Sequence, residues 1–373
     1  MHQELDMKRR DSLMILNASP GIGPVMTSRL MENFHHDPLK ILDAADSELQ
    51  SVRGVGRHTI DSMRQILKSK WIDKERQKLQ QLGGYFVHND EIPENLAQLN
   101  DSPLGIYCLG EIPKLPCVSI VGTRVPSLYG KKFARKISYE LAKCGICVVS
   151  GMARGIDSEA HHGALEAGGK TMAFLGSGID IIYPPENLEL YNKIRKSGAI
   201  LSEFPLGRRA DRRTFPMRNR LVAGISLAVV VIESAKSGGS MITARFAAEQ
   251  GRTVFALPGR VDQPESHGCL DLIRDGATLI RSTNDILEEL APMLANSKNA
   301  KFFRDEPITQ AFSDLNKAEQ LIMSVLSNGE RMRTEDFQAT TQMPLNDILT
   351  SLTMLEIRGL IQKRTDGKFE ACF

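Results

Sequence analysis

Between Phe204 and Arg220 the chain reads FPLGRRADRRTFPMRNR, six arginines against one interior acid, Asp211. The whole protein carries a formal net charge of only +2. Positive charge is therefore concentrated here, and a local cluster of this kind points to a polyanion. Phe204, Phe215, Pro205 and Pro216 are interleaved with the arginines. Arginine meets phosphate oxygens with a planar fork, and a phenylalanine face can take an unpaired base. The combination suits single-stranded nucleic acid better than a lone phosphate. The competing reading is a solvated arginine-rich loop, the ordinary fate of a charge run.

Four glycine-rich turns accompany the cluster: Gly122-Thr123-Arg124, the run from Ser150 to Asp157 (SGMARGID, with Arg154), the run from Gly176 to Asp180, and Ser237-Gly238-Gly239-Ser240. Each follows an apolar run and precedes a stretch of helical length. In a parallel sheet this is where backbone amides and helix dipoles gather and where ligands bind. The fourth turn has glycines for close backbone approach and Ser240 near an N-cap position. The chain has no G-x-G-x-x-G after its first strand and no G-x-x-x-x-G-K-[ST], which disfavours a dinucleotide dehydrogenase or a P-loop ATPase. It has no G-x-S-x-G elbow and no H-E-x-x-H. His161 and His162 read as one packed and one solvated residue, since neighbours on a helix face different ways. Cys144 and Cys147 form a C-x-x-C with no second pair to complete a zinc site, so buried or incidental thiols are expected. No cofactor or metal is expected.

Positioning these turns requires a sheet. From Cys117, short runs such as VSIVG (118–122), ICVVS (146–150), KTMAFL (170–175), AILSE (199–203), LAVVVIE (227–233) and TVFAL (253–257) alternate with amphipathic stretches. Helices are expected at 128–143, 157–167, 186–197, 218–224, 240–250, 267–275 and 283–290. Strands that are apolar throughout and alternate with helices predict an α/β fold, an extended Rossmann-like, doubly wound and mostly parallel sheet, over 117–291. Residues 83–116 read as a connector that ends in a short strand, YCLG (107–110), and 292–312 as a linker. Residues 1–82 read as helical. Their two similar turns, Gly21-Ile22-Gly23 and Gly54-Val55-Gly56, resemble a pair of helix-hairpin-helix motifs in a SAM-like domain. In residues 313–373, two helix faces (Leu321, Ile322, Val325, Leu326, then Leu345, Ile348, Leu349, Leu352, Leu355) precede two strands around Asp366-Gly367. With the short polar segment TEDFQATTQMP between the two faces, the order helix, short helix, longer helix, hairpin is that of a winged helix. Its third helix has few outward basic residues, so DNA readout is not expected there.

At 373 residues, 42% hydrophobic and 25% charged, the composition is that of a soluble protein of two or three domains. The N-terminus lacks a signal-peptide core, and the longest apolar run, 221–232, is too short to span a bilayer. A cytoplasmic protein without membrane partners is expected.

The motifs SIVGTR, SGMARGID, GSGIDIIYPPEN, FPMRNR, ISLAVVVIESAKSGGSMITARFAAEQGR and VFALPGR occur in order across 117–290. In these the chain resembles the DNA-processing protein A (DprA/Smf) family, and both flanking segments fit that family's arrangement. The resemblance implies a non-catalytic protein that binds and protects incoming single-stranded DNA and helps load the RecA recombinase in natural transformation and homologous recombination. It also implies a homodimer through the Rossmann-like domain. It assigns DNA contacts to Gly122, Thr123, Arg124, Arg218, Asn219, Arg220, Gly238, Gly239 and Ser240, with Phe215 as the stacking ring. The basic residue upstream of FP is Arg212 or Arg213, and Arg154 joins the set from its turn. Arg124, Arg212, Arg218 and Arg220 would grip phosphates, and Gly238 and Gly239 would present amides. Asn219 would contact DNA or fix the backbone. The alternative is a Rossmann enzyme of the nucleotide phosphoribohydrolase type, although the P-G-G-x-G-T-x-x-E run of that group is missing and only Glu159 and Glu249 are near. A third reading is an adaptor whose tail recruits partners.

Overall fold

The computed structural model describes residues 2–88, 91–295, 315–326, 331–364 and 366–371. Most of the expected linker, and Cys372, lie outside the described residues. The chain divides into two units, 1–303 and 304–373.

The first unit opens with six helices, α1 (His2–Ala18), α2 (Pro24–Asn33), α3 (Pro38–Asp43), α4 (Asp46–Ser51), α5 (Arg57–Lys68) and α6 (Trp71–Leu82). They enclose Leu16, Leu30, Ile41, Leu49 and Ile60. Gly21 and Gly54 both adopt a positive φ, +86° and +95°, which a side chain would resist. Each turn packs on the helix that follows the other turn. A methyl at Gly21 would stand 2.6 Å from Oγ1 of Thr59, and one at Gly54 would stand 2.9 Å from Cε of Met26.

Two strands follow, β1 (Tyr85–His88) and β2 (Gly105–Gly110), with the one-turn helix α7 (Glu94–Ala97) between them. The alternating part then runs β3 (Cys117–Val121), α8 (Leu128–Lys143), β4 (Cys147–Ser150), α9 (Ile156–Glu166), β5 (Thr171–Phe174), α10 (Leu188–Ser197), β6 (Ala199–Ser202), α11 (Thr214–Ile225), β7 (Ala228–Val231), α12 (Gly239–Glu249), β8 (Thr253–Ala256), α13 (His267–Arg274), β9 (Thr278–Leu279) and α14 (Thr283–Ala295). The strands form one nine-stranded sheet in the order β1-β2-β6-β5-β4-β3-β7-β8-β9. From β6 to β9 all pairings are parallel; β1–β2 and β2–β6 are antiparallel. The segment 83–116 thus contributes two strands to the sheet: β2, which contains the expected YCLG strand, and β1, which was not expected. Tyr107 of β2 pairs with Ser202 of β6.

The central strands are apolar throughout because helices cover both faces. Val121, Val149 and Val229 pack with Leu221, Ala244 and Cys269 on one side. Val118, Ile120 and Val148 pack with Ile137, Ala160 and Ile286 on the other. At roughly 25 cal/mol per Å² of apolar surface, these two layers are the main stabilising term of the unit. A third cluster joins Leu13, Met14 and Leu79 of the N-terminal helices to Phe86, Tyr107 and Ile200 of the sheet. Cys147 lies inside β4 beside Cys117, and burial pushes its thiol well above the ordinary range, as befits a core residue.

The chain adds β4, β5 and β6 on one side of β3, then crosses to add β7, β8 and β9 on the other. This reversal opens a crevice at the carboxyl ends of β3 and β7.

The second unit holds α15 (Lys317–Leu326), α16 (Thr334–Thr341) and α17 (Leu345–Ile357), then an antiparallel hairpin of β10 (Ile361–Lys363) and β11 (Phe369–Ala371). Its core is Ile322, Leu326, Phe337, Ile348, Leu352 and Leu355. Leu321, Leu345 and Leu349, expected in the core from their spacing, are exposed. Leu321 and Leu349 each sit one position off the buried stripe of their helix, and Leu345 is the first residue of α17.

Candidate nucleic-acid interface

A pocket of about 520 Å³ occupies the crevice. Its walls are Gly122, Thr123 and Arg124 after β3, Gly151, Ala153 and Asp157 after β4, Ser234 and Ala235 after β7, Gly238, Gly239 and Ser240 at the start of α12, and Arg212, Phe215, Arg218 and Asn219 from the arginine-rich run. Three of the four glycine-rich turns therefore converge. The remaining turn, 176–180, instead holds the run in place: Asp180 accepts the Gly207 N–H at 2.8 and 2.9 Å.

The arginine-rich run is only partly loop, because α11 starts at Thr214 rather than at Arg218. Asp211, the lone interior acid, accepts the N–H groups of Arg213 (2.7 Å) and Thr214 (3.1 Å) at the helix entrance. Thr214 Oγ1 bonds back to the Asp211 carbonyl. Pro216 is the third helical residue, where its missing N–H costs no intrahelical bond. The D-x-x-T pattern is a helix-start signal hidden inside the charge run.

Helical geometry then sends the arginines different ways. Arg218 is 6% exposed. Its Nη1 donates to the Phe174 carbonyl at 2.9 Å, while its buried Nε has no hydrogen-bond partner among the described residues. Burial lowers its pKa, and Asp157 counteracts that. Asp157 is itself buried, which raises its pKa, and it accepts the N–H groups of Gly151 (3.1 Å) and Ala153 (3.3 Å). Arg220, two residues on, points away from the pocket into the fold. It is 3% exposed and its Nη2 donates to both oxygens of Glu203, at 2.5 and 2.7 Å. Its expected phosphate role is corrected: two residues along a helix are about 200° apart, so Arg218 and Arg220 cannot line one surface.

Arg124 and Arg212 are exposed and line the pocket; Arg213 is exposed but outside the lining. Arg154 also lies outside it, in a surface ion pair with Glu186. The Arg124 guanidinium lies 5.0 Å from the centroid of the Phe215 ring, a cation–π arrangement. The Tyr183 ring lies 5.9 Å from Phe215, tilted by 47°. Tyr183 is an aromatic that the sequence reading missed, and its signal was the YPPEN run that follows the Gly176–Asp180 turn.

The glycines do different work from one another. A methyl at Gly122 would meet Cγ1 of Ile156 at 2.6 Å and the Glu233 carbonyl at 2.9 Å, so Gly122 permits close packing. Thr123 donates its N–H to Glu233 O at 2.7 Å and accepts the Val125 N–H at 3.3 Å. The Gly238 N–H, expected to be free, bonds Ala235 O at 2.9 Å. Ser240 turns its hydroxyl to Ser234 Oγ at 2.8 Å. Gly239 has open space around it, and the first-turn amides of α12 lie here with the dipole behind them. Asn219 donates to the Gly239 carbonyl at 3.4 Å, tying α11 to α12.

His161 is buried, bonds Thr171 Oγ1 at 2.7 Å, and burial holds its pKa down to about 3. It is a neutral core residue. Among the described residues, Asp157 is the one carboxylate in the pocket lining.

The family model for DNA recombination-mediator protein A matches residues 84–291. The chain is 33% identical to the Smf protein of Synechocystis sp. over 94% of this chain and 96% of that protein. It is 38% identical to the DNA processing protein DprA of Streptococcus pneumoniae over 57% of this chain and 76% of that one. The crystal structure of the S. pneumoniae protein superposes with a TM-score of 0.66 at 31% identity, covering 75% of this chain and 97% of that one. A structure of the Helicobacter pylori protein, described for its single-stranded DNA binding mode, gives 0.51 at 32% identity, covering 56% and 96%. Its sheet, its crevice and these matches together place the chain in the DNA-processing protein A (DprA/Smf) family.

Proposed function

We propose that this protein binds single-stranded DNA in the crevice, protects incoming strands and helps load the RecA recombinase onto them, without catalysis. The observation that carries the reading is Arg218: a nearly buried cation on the pocket wall with an unpartnered Nε. Burial outweighs the offsetting charge of Asp157, and a buried charge left in that state is costly unless a further anion meets it. A backbone phosphate in the pocket meets Arg218, the exposed Arg124 and Arg212, and the start of α12 together. Phe215 in the lining, with Tyr183 beside it, takes unpaired bases, which a duplex does not offer. Asp157, the lining carboxylate, is engaged by two backbone amides, which suits a structural role better than that of a general base. The RecA partnership, the homodimer and the cytoplasmic location rest on the family likeness. Among the described residues no helix is long and apolar enough to cross a membrane.

The test is fluorescence anisotropy with labelled oligo-dT and a matching duplex. The expected result is tight, salt-sensitive binding to the single strand and weak binding to the duplex. Release of free base from a nucleoside monophosphate would favour the hydrolase instead.

A further inference from the structure

Glu203 to Gly207, at the start of the arginine-rich run, lie beyond the end of β6, where among the described residues no strand partner continues to use their backbone groups. Buried backbone N–H and C=O groups outside such ladders need partners from elsewhere. Two come from the N-terminal helices. Glu75 of α6 is 3% exposed, and its Oε1 accepts the Leu206 N–H at 2.8 Å. Asn17 of α1 donates through Nδ2 to the Glu203 carbonyl. The neighbouring residues are fixed from the other side: Gly207 N–H on Asp180, and the Arg208 carbonyl on Gly178 N–H at 2.8 Å. Arg208 then pairs with Asp211 at 2.6 Å, the residue at the entrance to α11. A continuous line of bonds therefore runs from the N-terminal helices to the start of the helix that carries Phe215 and Arg218.

A carboxyl group is an expensive choice for a packed helix contact, since an apolar side chain would fill the space without desolvation. Its use here is as an acceptor: it takes the Leu206 N–H of an irregular segment and stands beside the buried Tyr107 hydroxyl.

We propose that the N-terminal helices brace the arginine-rich run, with Glu75 as the positioning residue that fixes Leu206 and thereby the placement of Arg212 and Phe215. The proposal rests on the reading of the crevice as the single-strand site. It gives residues 2–82 a part in DNA binding that needs no contact between them and DNA.

The experiment uses the full chain carrying Glu75→Ala, Glu75→Gln or Asn17→Ala. Two quantities are read: affinity for labelled oligo-dT, and the rate of trypsin cleavage after Arg208, Arg209, Arg212 and Arg213, followed by mass spectrometry. Burial already holds the Glu75 carboxyl above its ordinary range, so the neutral glutamine is a fair substitute acceptor. Glu75→Ala is expected to weaken binding roughly three- to tenfold, the worth of one buried hydrogen bond, and to speed cleavage at those arginines. Glu75→Gln keeps both near wild type, a rescue that loss of packing alone would not explain. Asn17→Ala shifts both in the same direction. Wild-type affinity and cleavage in Glu75→Ala would overturn the proposal, as would equal losses in Glu75→Ala and Glu75→Gln. If Glu75→Ala does not fold, Asn17→Ala decides, and no change in it overturns the proposal. A wild-type protein that binds no single-stranded DNA removes the site reading, while the cleavage pattern still tests the brace.

Discussion

Gly151 leaves the space that Arg218 occupies: a methyl group added at Gly151 would stand 1.4 Å from Nη1 of Arg218. The glycine after β4 is thus required by an arginine 67 residues later, and the pair forms one wall of the crevice. Gly151→Ala must displace the guanidinium or the turn. We expect a loss of about 1–3 kcal/mol in stability, read by urea denaturation, together with weakened oligo-dT binding. A variant with wild-type stability and affinity would show that the arginine has another place to go.

Phe215 lines the pocket and the Tyr183 ring lies 5.9 Å from the Phe215 ring. Phe215→Ala is expected to weaken single-strand binding by about 1–3 kcal/mol, and Tyr183→Ala by the same order, since base–ring stacking is worth that much per base. Anisotropy with oligo-dT measures both. Unchanged affinity in both variants would move the stacking surface elsewhere.

Arg220 separates structure from binding. Removing one partner of its buried pair with Glu203 leaves an uncompensated charge, so Arg220→Ala is expected to destabilise the fold by about 3–5 kcal/mol. Under conditions where the variant is still folded, the salt dependence of its DNA binding should match wild type. A reduced salt slope would put Arg220 back among the phosphate contacts.

Stability should fall in acid through His161. Its folded pKa, about 3, lies below the ordinary histidine value of 6.5, so the unfolded chain binds the extra proton first. Stability from this group is complete above pH 6.5 and is lost as pH falls toward 3, by roughly 3–5 kcal/mol in all. His88 and His162 are shifted the same way by burial and add to the slope. Denaturation curves across this range should be flatter for His161→Gln, and an unaltered slope would assign the effect to other groups.

How much of this was legible depended on whether a signal was local. The strands from β3 to β8 were readable because burial on both faces makes them apolar throughout, and the turns after β3, β4 and β7 carry their glycines in plain view. The edge strand β1 was not, because its four residues end in a histidine and run into acids and prolines. The phase of α11 was hidden as well. Arginines and a proline at its start look like loop, and the Asp211–Thr214 cap that places the helix start four residues before Arg218 is a weak pattern. Without that phase, Arg218 and Arg220 look equivalent, although one lines the pocket and the other is locked to Glu203. The use of Gly151 depends on a residue far away in sequence, which no local pattern encodes.

The most direct test of the central claim is oligo-dT and duplex binding by wild type and Arg212→Ala, followed by anisotropy over a range of salt concentrations. Arg212 is exposed and lines the pocket, so its removal spares the fold. The account predicts clear preference for the single strand in wild type. In the variant it predicts weaker binding and a salt slope smaller by about 0.7, the value for one lost phosphate contact on a single strand. Equal affinity for strand and duplex, or an Arg212→Ala protein with wild-type affinity and slope, would contradict it.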